Sequence, residues 1–161
     1  MIEVNEVSKY FGEKKVLKHI STVFEEGKVN LIIGRSGSGK TVLMKCLVGL
    51  LSPEEGAVLY DGRDFHRLSA DAKKMLRSEM GMVFQGAALF DSLTIQENVM
   101  FPINMLQKDK RDEEKLERVN LCLKRVDLQN ANNLYPAELS GGMKKRAAIA
   151  RAIACNPKYL F

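Results

Sequence analysis

The 161-residue sequence lacks the features that mark several protein classes. Its 3 cysteines, Cys46, Cys122 and Cys155, are scattered without the spacing of metal ligands. Each lies in an apolar helical context, so we expect small buried side chains rather than ligands or nucleophiles. No apolar stretch is long and uninterrupted enough to span a bilayer. The N-terminal stretch MIEVNEVSKY has no basic-then-apolar signal pattern, which predicts a cytosolic protein.

Charge of one sign is not concentrated either. The formal net charge is +5, but lysines and arginines are mixed with acids, and no block of like charge exceeds KKR. This distribution does not favour nucleic-acid binding, so no nucleic-acid partner is expected. An apolar content of 45% and a charged content of 28% are those of an ordinary globular protein. The length suits one domain with a core.

The chain does contain an alternation of strand and helix patterns. Strands are predicted at IEVNEVSKY, STVFEE, KVNLIIG, GAVLYDG and MGMVFQ, with a turn at Asp61-Gly62. Helices are predicted from Lys40 to Leu51, after the N-cap residue Ser69, and over SGGMKKRAAIARAIA. A further amphipathic helix over DEEKLERVNLCLKRVDL has its apolar face at Leu116, Val119, Leu123 and Val126. This alternation predicts an α/β fold.

The stretch LIIGRSGSGKT contains the strongest motif. It fits G-x-x-x-x-G-K-[ST] between a strand pattern and a helix pattern, where glycines let successive N–H groups point at phosphate oxygens. The helix N-terminus adds its positive end. Lys40 is expected to reach the β- and γ-phosphates, and the Thr41 hydroxyl to ligate Mg²⁺. The predicted nucleotide-binding residues of this loop are Gly34, Arg35, Ser36, Gly37, Ser38, Gly39, Lys40, Thr41 and Val42.

A second glycine-bearing turn lies in ELSGGMKKRAAIARA. Ser140, Gly141 and Gly142 open a helix there, so a serine hydroxyl, two glycine N–H groups and a helix N-terminus could bind an anion. Taken alone, an ordinary helix N-cap after a glycine turn explains this pattern better. Because the first motif lies in the same chain, an anion site becomes the better explanation of this second turn.

Together these motifs resemble the nucleotide-binding domain of ABC transporters. The Walker A loop is Gly34–Thr41, Gln85 in VFQ matches the Q-loop, and LSGGM at Leu139–Met143 matches the signature. The resemblance runs from Val4 to the last residue. It implies a P-loop NTPase core with an N-terminal antiparallel β subdomain and a helical subdomain at roughly residues 86–139. All of this belongs to one partial ATP-binding domain over residues 1–161, incomplete at the C-terminus.

The resemblance also implies roles and cofactors. ATP and Mg²⁺ are expected, with Phe11 in KYFG stacking on adenine, Tyr10 as its fallback, and Val16 also at the nucleotide. Lys40 and Gln85 are the expected catalytic residues, and Gln85 joins Thr41 at the metal. In a head-to-tail dimer, Ser140, Gly141 and Gly142 of one subunit would act in trans on the nucleotide of the other. Gln85 would pass movement to a permease helix docked on Ala87, Ala88, Leu89 and Phe90.

The stretches FQGAALFDSLTIQENVMFP and ELSGGMKKRAAIARAIACNP, with Met143 as the clearest pointer, look like the ATPase subunit of Mla-type phospholipid transporters. That subgroup implies a membrane permease, a lipid-binding accessory protein, and a peripheral position on the cytoplasmic face of the inner membrane. Two alternatives stay open. A soluble ABC-type ATPase usually carries tandem cassettes or a long insertion, and a non-catalytic nucleotide-binding regulator is not excluded by any residue.

Two departures from the family pattern matter. Val42 stands where many cassettes have a hydroxyl residue, which should cost about 1 kcal/mol of nucleotide affinity. The closing KYLF resembles the start of the strand that ends in the Walker B aspartate and precedes the catalytic glutamate. The complete polypeptide is therefore expected to be an ATPase, whereas the 161-residue chain alone should bind nucleotide weakly, hardly hydrolyse it, and expose apolar surface. His19 and His66 lie too early to be the switch histidine and are expected to be surface or turn residues.

Overall fold

The computed structural model describes all 161 residues, which form two compact units, Met1–Arg77 and Ser78–Phe161. The first unit contains the strands β1 (Ile2–Phe11), β2 (Lys14–Phe24), β3 (Glu55–Tyr60) and β4 (Arg63–Asp64), with helix α1 (Lys40–Leu47). Helix α2 (Ala70–Ser78) ends this part of the chain. A short 3-10 helix, Phe65–Arg67, separates β4 from α2.

The antiparallel sheet of the first unit has the strand order β2-β1-β3-β4. Val4 and Val7 of β1 are both buried, although an odd spacing puts side chains on opposite faces of a regular strand. A register shift between them, with Glu6 at φ 51°, resolves this conflict. The predicted Asp61-Gly62 turn is confirmed, since both residues have positive φ and join β3 to β4.

One predicted strand is wrong. KVNLIIG does not pair with any strand, and Val29, Leu31 and Ile33 are 99%, 80% and 81% exposed. The run has the apolar character of a buried strand, but a strand also needs a neighbour that supplies hydrogen bonds, and none of the described residues does so. Each exposed side chain of this size forgoes about 1.5–3 kcal/mol of burial.

Helix α1 ends earlier than the predicted Leu51. Gly49 has φ 72°, and the Val48 and Gly49 N–H groups donate to the carbonyls of Met44 and Cys46. A Cβ on Gly49 would lie 2.1 Å from the Phe65 ring, so this position requires glycine for packing as well. The sequence pattern was continuous, but the left-handed glycine closes the helix.

The second unit is mainly helical. Its helices are α3 (Ile95–Leu106), α4 (Asp112–Arg125) and α5 (Gly141–Ile153), and its parallel strands are β5 (Met80–Gly81) and β6 (Tyr159–Leu160). A 3-10 helix, Pro136–Glu138, precedes α5. Of the strand predicted over MGMVFQ, only Met80 and Gly81 pair with another strand, β6. Beyond them, the Val83 N–H donates to the Phe161 carbonyl.

The three helices of this unit share one apolar core and stabilise each other's ends. Arg118 of α4 donates to the carbonyls of Ile153 and Ala154 at the end of α5. Arg146 of α5 donates to the carbonyls of Val126 and Asp127 at the end of α4. These arginines satisfy carbonyls that have no partner within their own helices.

The predicted apolar face of α4 is correct at three positions, since Val119 and Leu123 are buried and Val126 is half-buried against the same core. Leu116 is 37% exposed, however, and Lys115 is buried in its place, with its Nζ donating to Asp112. The lysine stem is long enough to cover apolar surface while its ammonium stays paired, which the residue type alone does not reveal.

The cysteines and the histidines largely follow expectation. Cys46 and Cys122 are buried and Cys155 is half-buried, and burial raises the pKa of all three thiols. His19 is exposed, but His66 is half-buried in its 3-10 helix. None of the helices combines the length and the apolar character needed to cross a membrane.

Candidate functional site

The loop Gly34–Thr41 leads directly into helix α1. Gly37 and Gly39 have φ 76° and 97°, a region that favours glycine, and the Ser38 N–H donates to the Arg35 carbonyl at 3.2 Å. A Cβ on Gly34 would lie 2.8 Å from Ser38 Oγ. Backbone conformation thus favours glycine at Gly37 and Gly39, whereas a side chain at Gly34 would have to displace the Ser38 hydroxyl.

Lys40 is folded into its own loop. Its Nζ donates to the carbonyls of Gly34 and Arg35, both at 2.8 Å. An ammonium has three N–H donors, so one is left for another acceptor. The ammonium therefore already lies inside the ring of backbone atoms that the sequence predicted to surround phosphate.

The N-terminus of α1 has no side-chain cap and no acidic residue in its first turn. The first N–H groups of any helix lack intrahelical partners, and here no capping side chain or acidic residue offsets the positive end of the helix dipole. Gly34–Ser38 and Thr41 are exposed, and Val42 is half-buried. Open amide donors, an adjacent ammonium and room in front of them fit the phosphates of a nucleotide.

Val16 lies against this loop. An ideal Cβ on Gly39 would be 3.3 Å from the Val16 carbonyl oxygen and 3.4 Å from Val16 Cγ1. Phe11, at the end of β1, is 49% exposed, and the Lys9 ammonium lies 5.6 Å from its ring centroid. Tyr10 instead donates its hydroxyl to Glu55 and lies under the Lys15 ammonium. Phe11 is thus the aromatic with the more available ring.

Gln85 lies in the second unit, in a tight turn. The Ala87 N–H donates to the Phe84 carbonyl at 3.1 Å, and Gly86 has φ 80°, which leaves the Gln85 side chain exposed. Ala87 and Ala88 follow with φ 68° and 46°. Two consecutive alanines in the left-handed region cost about 1–2 kcal/mol each, so the surroundings must hold them there.

Two side chains that sequence reasoning missed hold this segment. Arg151 of α5 donates to the carbonyls of Ala88 at 2.7 Å and Ala87 at 2.9 Å, and burial lowers the pKa of its guanidinium. Asn98 of α3 is fully buried, and its Oδ1 accepts from the Phe90 N–H. Its Nδ2 donates to the carbonyls of Phe90, Leu93 and Thr94. Neither residue stood out in sequence, because each acts on backbone atoms.

The turn at the start of α5 is an N-cap, as its pattern alone suggested. Ser140 Oγ accepts from the Met143 N–H at 3.2 Å. Gly141 and Gly142 are exposed, and a Cβ would meet nothing within 4 Å at Gly141 and only Ser140 Oγ at 4.0 Å at Gly142. Glycine costs about 1 kcal/mol relative to alanine in a helix, and no close packing contact requires glycine at either position.

The apolar docking residues predicted after Gln85 separate into two groups. A pocket of about 350 Å³ in this unit includes Ala88 and Phe90 in its lining, beside Phe101, whose ring centroid lies 4.8 Å from that of Phe90. Ala87 is buried and Leu89 is half-buried, and neither lines the pocket. Of the four predicted docking residues, Ala88 and Phe90 therefore line the pocket, whereas Ala87 and Leu89 pack inside the unit.

The predicted metal residues, Thr41 and Gln85, lie in different units. No group of three or more His, Cys, Asp or Glu side chains is arranged to hold a metal ion. The exposed Thr41 hydroxyl is an oxygen donor of the kind that Mg²⁺ takes, and an ion with few protein ligands would be carried mainly by nucleotide phosphates.

Comparison with known proteins extends these observations. Residues 17–161 match the model of the ABC transporter family. The chain is 44% identical over 160 residues to the methionine import ATP-binding protein MetN of Clostridium tetani, covering 99% of this chain and 50% of that protein. It is 37% identical to the probable ribonucleotide transport ATP-binding protein mkl of Mycobacterium tuberculosis, covering 99% of this chain and 44% of that one.

A dimeric structure of the ATP-binding cassette MJ0796, in a post-hydrolysis state bound to ADP and Pi, superposes with a TM-score of 0.88. It is 35% identical and is covered to 72%, against 99% of this chain. The chain spans about half the length of the curated relatives it matches. Those relatives are named for methionine import and ribonucleotide transport, so the predicted Mla-type subgroup is not supported by them. The chain belongs to the ABC transporter ATP-binding family and has the P-loop NTPase fold of its cassettes, with an antiparallel β subdomain and helices.

Proposed function

We propose that this chain is the nucleotide-binding part of the ATP-binding subunit of an ABC transporter. The observation that carries the proposal is the uncapped N-terminus of α1 with the Lys40 ammonium already inside the loop. Bound Mg²⁺–ATP would supply the transferable phosphoryl group and the charge that the loop neutralises. The whole protein would bind and hydrolyse ATP.

Each residue of the first site would have a defined task. The Lys40 ammonium would turn from the loop carbonyls to the β- and γ-phosphate oxygens, and the open amides of the loop would bind the remaining phosphate oxygens. The Thr41 hydroxyl and the Gln85 side-chain oxygen would face the metal. Phe11 and Val16 would hold the adenine, since one has an exposed ring and the other lies beside Gly39.

The turn Ser140–Gly142 would act on a second copy of the subunit. Its two glycines leave open space where any side chain would stand, and that space suits the close approach of a nucleotide held by a partner. Ser140→Arg in the full-length protein should leave nucleotide binding at the Lys40 site nearly intact and block dimer closure and turnover. A collapse of nucleotide affinity in that variant would refute the action in trans.

Coupling to a permease would use the pocket beside Phe90 and Phe101. Its lining is largely apolar, which suits a short permease helix at the cytoplasmic face of the membrane. The substrate proposed from the resemblance is a phospholipid, delivered by a lipid-binding accessory protein. Because the relatives compared above carry other substrate names, a transport assay should test phospholipid, methionine and ribonucleotide side by side.

The decisive experiment uses the full-length polypeptide. It should co-purify with a membrane permease and hydrolyse ATP, and Lys40→Ala should abolish that activity. Activity without any permease would favour a soluble ABC-type ATPase, and nucleotide binding without turnover in the full-length protein would favour a regulatory module.

A further inference from the structure

We propose that Arg151 is a positioning residue. It connects the turn at the start of α5 with the segment that presents Gln85, the two parts of the second unit that would act on nucleotide. The inference rests on the proposed function, because the roles of Gln85 and Ser140 are themselves proposed. Its physical basis is independent of that function, since it lies in the contacts of one guanidinium with two carbonyls.

The segment after Gln85 cannot hold its own shape. Gly86, Ala87 and Ala88 have three consecutive positive φ values, and only one turn hydrogen bond, from Ala87 to Phe84, closes them. Alanine relaxes readily out of this region when it is released. Arg151 fixes both peptide planes by donating through two different nitrogens to the carbonyls of Ala87 and Ala88. The orientation of the neighbouring Gln85 turn therefore depends on Arg151.

An arginine is needed for this task. The guanidinium is a planar fork whose N–H groups diverge at set angles, so it can satisfy two adjacent carbonyls at once. Its carbon also lies 5.9 Å from the Phe90 ring centroid, a cation–π contact that restrains the side chain further. A lysine at this position would keep the charge but lose the fixed geometry.

Helix α5 makes the link rigid. Ser140 caps its first turn, Arg151 lies in its last turn, and the intervening residues rise by about 15 Å along the helix axis. Ala147, Ala148 and Ala150 are buried between the two ends, so the helix is held by close packing along its length. A displacement of the Ser140 end therefore reaches the Ala87 and Ala88 carbonyls through an element that does not bend easily.

Residues 90–94, which follow this segment in the chain, are held separately by Asn98. All the side-chain hydrogen bonds of Asn98 go to the backbone of Phe90, Leu93 and Thr94, beyond Ala87 and Ala88. Loss of the Arg151 fork should therefore loosen residues 85–88 and leave residues 90–94 in place. This difference separates a positioning role from general support of the fold.

The test compares Arg151→Lys with Arg118→Lys. Arg118 is a matched control, because it also donates to two backbone carbonyls in the same unit, those of Ile153 and Ala154, but not to the Gln85 segment. Hydrogen exchange of the 161-residue chain is measured first. In Arg151→Lys the Ala87 amide, which donates to the Phe84 carbonyl, should exchange at least ~10-fold faster, while the amides of Phe90 and Leu93 stay protected. Arg118→Lys should change the exchange of the Ala87 amide less than ~3-fold.

The second readout is steady-state hydrolysis by the full-length polypeptide. Arg151→Lys should lower kcat about 10-fold with the KM for ATP within about 2-fold of wild type, and Arg118→Lys should leave kcat nearly unchanged. Equal behaviour of the two variants in both measurements would overturn the inference and reduce Arg151 to a structural residue. Absence of hydrolysis in the wild type would refute the proposed function instead, and hydrogen exchange would still decide whether Arg151 holds the segment.

Discussion

The two glycine-bearing turns of this protein both open helices, yet they treat the helix N-terminus differently. At α1 the N-cap position is Gly39, with φ 97° and no side-chain cap, and a lysine ammonium lies in the loop before it. At α5 the N-cap is Ser140, whose hydroxyl already accepts the Met143 N–H. The first turn thus keeps its backbone N–H donors available. At the second turn the Met143 N–H already has an acceptor, and the space beside Gly141 and Gly142 is open.

This difference separates two ways of preparing for an anion. An uncapped helix with an adjacent ammonium can bind phosphate without a partner, because several donors and a positive charge converge. A capped helix with two exposed glycines offers a close approach and few spare donors. The first turn should therefore determine affinity, and the second should act only when another surface supplies the ligand.

The largest expected effect is on Lys40. Lys40→Ala should weaken Mg²⁺–ATP binding by about 10- to 150-fold, because charged hydrogen bonds of this kind contribute roughly 1.5–3 kcal/mol. Lys45→Ala is the matched control, since Lys45 is an exposed lysine of the same helix. Titration calorimetry on both variants measures the difference. Equal affinities would show that the Gly34–Thr41 loop is not where the nucleotide binds.

The next effect separates two glycines of the same loop. Gly39→Ala should lower the free energy of unfolding by about 1–3 kcal/mol, because its φ is 97° and the new Cβ would lie 3.0 Å from Leu17 Cδ2. Gly37→Ala should cost only about 1 kcal/mol, since its φ is 76° and its Cβ would meet nothing within 4 Å. Urea unfolding of both variants tests this order, and a reversed order would contradict the described packing.

Removal of the α5 cap should have a smaller effect. Ser140→Ala should destabilise the protein by about 1 kcal/mol, because the Met143 N–H loses its acceptor, whereas Ser140→Gly should cost only a few tenths. Neither change should alter nucleotide affinity at the Lys40 site. Thermal unfolding and ATP titration check the two parts separately. A large loss of affinity in Ser140→Ala would remove the distinction between the two turns.

The smallest expected effect concerns His66, which lies outside both turns. Burial lowers the pKa of His66 below its usual 6.5, and its Nε2 is buried without a hydrogen-bond partner. The unfolded chain then binds a proton more readily than the folded one. The contribution of this histidine is fully present above its unfolded pKa and is lost as the pH falls towards the folded pKa.

His66→Gln should therefore flatten the decline of stability as the pH falls below about 6.5. His19→Gln serves as the control, because that side chain is exposed. Urea midpoints across this range measure the effect. A decline of unchanged steepness in His66→Gln would assign it to other groups.

The parts predicted correctly from sequence depend on short-range interactions. The Gly34–Thr41 loop leading into a helix, the Ser69 and Ser140 caps and the Asp61-Gly62 turn all join residues within a few positions of one another. Glycine conformations and cap hydrogen bonds of this kind are recognisable in the residue types themselves.

The errors arose where burial or pairing depended on distant residues. KVNLIIG reads as a buried strand, but its environment is decided by whether another strand lies beside it. Leu116 and Lys115 exchange their expected places on α4 because the neighbouring helices decide which side of the helix is covered. Apolar periodicity alone cannot specify that choice to within one residue.

The sequence alone determined the two glycine turns, their helices and the family to which the chain belongs. These features depend on glycine conformations and cap hydrogen bonds between residues that are close in the chain. Only the tertiary structure decided which side chains hold the Gln85 segment. Arg151 reaches carbonyls 63 and 64 residues away, and such a contact exists only after folding has brought α5 beside that segment. A backbone carbonyl is present at every residue, so no residue type marks the partner in advance.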